Sequence, residues 1–303
     1  MKKNIFKKIT NILSNPRLKL IFGILGLLII SKFAIRNINE LKNPNQSDKI
    51  IIEAVLSSEG FVLPVSFADL GIQMKENGVI DPTAFEKIYE SSPILQEEAK
   101  NYLSNKTETP IKITNENSNL LLNLFWGLGL GNKNPILEKG PIMANGDASK
   151  FASTGGWTIA KGAPMEHYSK YYFIPLNFEQ QKLLEKISKN IYRPCCNNST
   201  YFPDCNHGMA MLGLLELLIK QNVAEDEIYS IALRVNSYWF PSTYLNVANY
   251  FDRNENKVWP KINPKVVLGK DYSSAAGWQK VQSLLRDSGI IEISPKGGGK
   301  CNL

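Results

Sequence analysis

Apolar and polar positions divide the chain into three stretches of different pattern. Residues 20–30 read Leu-Ile-Phe-Gly-Ile-Leu-Gly-Leu-Leu-Ile-Ile without interruption, and Phe33, Ala34 and Ile35 continue the run past Ser31 and Lys32. A polar linker, Asn43-Pro44-Asn45-Gln46-Ser47, follows. Beyond it, apolar residues recur at helical spacing between turn and capping residues, up to a glycine run at 297–299.

The long middle stretch reads mainly as helix. Asp81-Pro82 places an N-cap before a proline at the first helical position, and Phe85, Ile88 and Tyr89 follow on one face. Pro93 to Leu103 is a charged amphipathic segment. Thr114 is positioned to cap a helix through Leu120–Trp126, which is apolar on most faces and so expected to be buried. Gly127, Gly129 and Gly131 then read as a helix end and turn. They lack the Gly-Lys-Ser/Thr ending of a phosphate loop. Asn177 caps a helix over 178–192, with Leu183, Leu184, Ile187 and Ile191 on one stripe. Glu225, Asp226 and Glu227 suit the positive end of another helix, which Pro241 ends or kinks. Residues 273–286 form a last amphipathic stretch. Short strands are expected at 61–65, 111–114 and 172–175, too few for a large sheet. The resulting fold class is mainly α, an irregular helical domain preceded by one N-terminal transmembrane helix.

That first helix is a membrane expectation. A spanning helix needs about 20 apolar residues. Residues 18–35 reach this when Lys19 and Lys32 snorkel to the two interfaces. Six positive charges and no acid precede the apolar core, so the positive-inside rule keeps the N-terminus cytoplasmic and sends the rest across. A signal anchor fits better than a cleaved signal peptide, because the Lys32-Phe33-Ala34 region lacks a small residue three positions before a cut. The organisation that follows is a basic cytoplasmic N-terminus at 1–17, an anchor at 18–35, a linker at 36–49, an extracytoplasmic domain at 50–296 and a Gly-rich, Cys-bearing tail at 297–303. Localisation is then the cell membrane, single-pass, with membrane lipid as the partner of residues 18–35.

Charge supports this division. The net charge is +7, yet residues 1–42 hold nine Lys/Arg against one acid, Glu40, and carry +8 by themselves. The remainder is −1, so the main domain has no electrostatic footprint for nucleic acid. The sequence names no protein partner and no reaction.

Chemistry concentrates at one place. Cys195-Cys196-Asn-Asn-Ser-Thr-Tyr-Phe-Pro-Asp-Cys205-Asn-His207 holds three of four cysteines and one of two histidines, in a turn-rich stretch between helices. Thiolate and imidazole are the ligands taken by zinc, copper(I) and iron–sulfur clusters, so the expected function is metal handling, sensing or electron transfer at a metal or iron–sulfur site of Cys195, Cys196, Cys205 and His207. Asp204 or Asn206 is placed to cap the helix starting near His207, which would turn a positive helix end toward Cys205. Met211, one helical turn beyond His207, and Cys301, on its glycine tether, are additional candidate ligands. Met209 and Met211 also read as core on an apolar helix.

The spacing Cys196-x-x-Ser199-x-x-x-Pro203-x-Cys205 resembles the centre of the CDGSH-type [2Fe–2S] motif. That resemblance implies a three-Cys, one-His site. It covers about a dozen residues and departs from the pattern at two points: Cys195 is adjacent to Cys196, and His207 follows Cys205 by two residues where the family places its histidine four after. Two other classes suit the same residues. One is a disulfide-stabilised envelope interaction module, since thiols outside the cytoplasm oxidise. The other is a thiol–disulfide oxidoreductase, with a vicinal pair beside a third thiol. His167, next to Glu166, reads as a solvated loop histidine.

Overall fold

The computed structural model describes residues 44–294. The anchor expected at 18–35 and the tail with Cys301 lie outside the described residues. Among the described residues no helix is long and apolar enough to cross a membrane. Thirteen α-helices and one two-stranded sheet make up the described chain. The compact unit beginning at Ile51 contains the site.

Helix α1 (Pro44–Val55) leads into strand β1 (Phe61–Ala68). In β1 Leu63, Val65 and Phe67 are buried and alternate with more exposed residues, the period-two pattern of a half-buried strand. Its partner β2 (Thr107–Ile113) runs antiparallel, with Phe61 opposite Ile113 and Ala68 opposite Thr107. Three helices sit between the strands: α2 (Leu70–Glu76), α3 (Pro82–Ile88) and α4 (Pro93–Ser104). The caps of α3 and α4 are local chemistry. Asp81 accepts from the Ala84 amide at 3.0 Å, and Ser92 accepts from Leu95 at 3.4 Å.

Two apolar helices form the centre, α5 (Ser118–Gly131) and, later in the chain, α8 (Asn206–Lys220). Nearly every residue of both is buried. They cross backbone to backbone. A Cβ on Gly129 would collide with the Met209 carbonyl, and one on Gly213 with the Phe125 carbonyl. This corrects the reading of Gly127–Gly131 as a turn. These glycines are helical, and their missing side chains let α8 and the Trp157 and Phe173 rings approach α5. The cap is also shifted. Asn117 precedes the first turn, while Thr114 hydrogen-bonds to the Asn117 side chain.

Around this pair lie α6 (Pro135–Lys139), α7 (Phe178–Ser188), α9 (Glu225–Trp239), α10 (Pro241–Glu255), α11 (Pro264–Leu268), α12 (Lys270–Ser273) and α13 (Ala275–Asp287). Asn177 and Gln180 close a reciprocal capping box on α7, which stops at Ser188, short of Tyr192. Pro241 starts α10 with no intervening loop. Residues 172–175 form no strand; Tyr171 makes only an isolated bridge to Asn132. Asn246 holds the segment after α13 through both of its amide atoms, to the N–H and carbonyl of Ile293.

A candidate three-thiol site

The segment between α7 and α8 is a closed loop. Tyr192 and Ser199 form an antiparallel bridge, and Thr200 returns its amide to the Ile191 carbonyl at 2.8 Å. Neighbouring elements hold it from outside. The first amides of α13 donate to it, Ala275 N–H to the Cys196 carbonyl and Ala276 N–H to Asn197 Oδ1, both at 2.9 Å. Tyr192 donates to Leu268 at the end of α11.

Arg193 holds it from inside. Its side chain is only 1% exposed. Nη1 donates to the Asn198 carbonyl at 2.9 Å, and Nη2 to the Phe202 carbonyl at 3.0 Å and to Asp204 Oδ1 at 2.6 Å. Nε donates to Cys205 Sγ at 3.1 Å. A buried guanidinium with every edge used fixes the loop in one conformation. Gly208 makes this possible, because a Cβ there would occupy the space of the guanidinium.

Three sulfurs converge above Arg193. One ligand atom each from Cys195, Cys196 and Cys205 lies within 4.8 Å of the others, a group that could hold a metal ion. All three are free thiols. Cys195 is exposed, and its Sγ is 3.3 Å from Cys205 Sγ. Cys205 is itself the N-cap of α8, accepting from the Gly208 amide at 3.4 Å. The helix start thus faces this sulfur as expected, but neither Asp204 nor Asn206 is the cap. Asp204 instead pairs with Arg193 and accepts from Asn198 Nδ2 at 2.8 Å. Cys196 Sγ lies 3.6 Å from Asp204 Oδ1 and 3.8 Å from the Asn198 carbonyl.

The three thiols are electrostatically unequal. Hydrogen bonds from Cys195 and Cys196, with the Arg193 charge and N–H behind them, hold Cys205 well below the usual thiol range. Cys195, though exposed as a residue, is pushed up by hydrogen bonding to Cys196 and Cys205, and by desolvation of its sulfur among them. For Cys196 the hydrogen bond with Cys195 pulls down, but that with Cys205 and burial prevail and push it up to about 11.

His207 does not join the trio. It is buried in the first turn of α8, with its ring 4.3 Å from Phe240 and 6.0 Å from Trp239. Burial, aided by Arg193 and opposed by Cys205, pushes its pKa down to about 4. Met211 is buried in the α5–α8 core. His167 is also buried, contrary to the loop reading. Its Nδ1 is 2.9 Å from Tyr171 Oη and its Nε2 2.7 Å from the Lys161 carbonyl. The residue that sequence reading missed is Arg193. A lone arginine before Pro194 carries no motif, and its role appears only when the loop closes on it.

No known protein family, curated protein or solved structure matches this chain.

Proposed function

We propose that the chain holds a single thiophilic metal ion, zinc(II) or copper(I), at Cys195, Cys196 and Cys205, for metal handling or sensing. The observation that carries this reading is the convergence of three free thiols within 4.8 Å. Unpaired thiols at that spacing are the donor set soft ions select. Charge agrees. Three thiolates and one divalent ion leave one negative charge, and the Arg193 guanidinium already faces Cys205. A mononuclear ion fits better than an iron–sulfur cluster, which takes four protein ligands. Here the described residues bring three together, with His207 turned toward Phe240. Three protein ligands are the count found in zinc sites that leave a position open for exchange.

The test is elemental analysis of full-length protein purified without oxygen, beside its absorption spectrum. About one equivalent of zinc or copper, lost in Cys205→Ser, is expected. Folded protein that is metal-free and takes up neither ion on titration overturns the reading.

A further inference from the structure

The ion reading treats the three sulfurs alike, yet their surroundings differ in a way ion binding does not require. Cys195 is the exposed residue of the three. Cys205 is anchored at the start of α8, with Arg193 Nε at 3.1 Å and the Gly208 amide at 3.4 Å. The two sulfurs are 3.3 Å apart, a near-attack separation that must shorten to about 2.05 Å to become a bond. Cys196 Sγ faces the oxygens of Asp204 and Asn198. A bridge from Cys196 to adjacent Cys195 would need a strained eight-membered ring.

We infer that Cys195 and Cys205, when no ion is bound, form a dithiol that reduces an accessible disulfide, with Cys195 as the exchanging sulfur and Cys205 as the anchored resolving one. This goes beyond ion binding, because it uses two of the three thiols and assigns them different roles. The reaction starts from the reduced pair carrying one thiol proton, and Cys195 attacks from the state in which Cys205 holds that proton. Cys195 sulfur attacks a disulfide R–S–S–R′. A Cys195–S–R bond forms, the S–S bond breaks, and R′S leaves, taking up the proton. Cys205 thiolate then attacks Cys195 Sγ. The Cys195–Cys205 bond forms and RS⁻ departs. Two electrons pass from the cysteine pair to the disulfide, and the products are one protein disulfide, R′SH and RS⁻. Arg193 and the Gly208 amide hold Cys205 beside Cys195 for the second step.

The experiment uses full-length protein carrying Cys301→Ser, reduced, chelator-stripped and mixed with glutathione disulfide. Bridges and adducts are then mapped by peptide mass spectrometry. The expected result is an intramolecular Cys195–Cys205 bridge with both halves of the probe released as thiol. In Cys205→Ser a glutathione adduct should accumulate on Cys195 and persist, while in Cys196→Ser the Cys195–Cys205 bridge should still form. A bridge involving Cys196, a lasting mixed disulfide when all three thiols are present, or no reaction of Cys195 overturns the inference. The bridge map of the protein with all three thiols needs no substitution within the site. Stripping the ion first keeps the outcome separate from that of the metal analysis.

Discussion

Arg193 Nε donates to Cys205 Sγ while the same guanidinium pairs with Asp204 Oδ1, so one buried cation ties the start of α8 to the loop carrying Cys195 and Cys196. Four hydrogen bonds in three directions cannot be reproduced by an ammonium. Arg193→Lys should therefore lower stability by about 3 kcal/mol, in the range for breaking a buried pair. Gly208→Ala should act on the same contact without changing charge, because its Cβ needs the guanidinium's place. Chemical denaturation measures the first effect, and limited proteolysis within 193–205 reports loosening of the loop in both. An Arg193→Lys protein as stable as the parent would show that the pair does not organise the loop.

The α5–α8 crossing gives a second expectation. Gly129→Ala and Gly213→Ala each drive a methyl into a backbone carbonyl of the opposite helix. Helix propensity alone would favour alanine at both positions by about 1 kcal/mol. Overpacking should outweigh it, leaving each variant destabilised by about 1–3 kcal/mol in thermal or denaturant melts. Gly146 is the control. It has φ +72°, and a methyl placed there would meet nothing within 4 Å, so alanine should cost about 1 kcal/mol of backbone strain and no packing.

Much of the helical framework is legible in the sequence because it is encoded locally. Asp81-Pro82 and Asn177 mark helix starts by side chains that bond amides three residues on. What escapes is encoded across the chain. Gly127–Gly131 looks like punctuation until α8 is laid against it. Pro241 ends α9 as expected, but that Phe240 lets a new helix begin at the very next residue is not legible. At the site, residue type and proximity in sequence single out Cys195, Cys196 and Cys205. The packing of His207 against Trp239 and Phe240 depends on how α8 meets the end of α9, which no spacing reveals.

That packing separates the histidine from the thiols experimentally. If His207 is a packing residue, His207→Phe should keep bound metal near the parent level, whereas Cys196→Ser should lose most of it. Elemental analysis of the two purified variants decides this. Loss of the ion in His207→Phe, with folding intact by circular dichroism, would mean that the imidazole turns inward to ligate when metal binds.

Glu216 offers a test away from the thiols. It sits fully buried in α8, accepting from Asn134 Nδ2 at 2.7 Å through Oε1, while Oε2 has no hydrogen-bond partner. Burial pushes its pKa up to about 8 against the opposing hydrogen bonds of Asn132 and Asn134, from 4.5 in the unfolded chain. Between these values the folded protein keeps a proton that the unfolded chain releases. Stability must then fall as pH rises from about 4.5 to 8, by on the order of 1 kcal/mol per pH unit from this group, and level off above. Glu216→Gln keeps the shape and the Asn134 hydrogen bond but cannot ionise. The difference between the two proteins, from denaturant melts across that range, cancels the other titrating groups. It should favour the glutamine variant increasingly toward pH 8. A difference that stays flat with pH would mean that Glu216 is already ionised at the acid end of the range, so that water or a cation reaches Oε2 in solution.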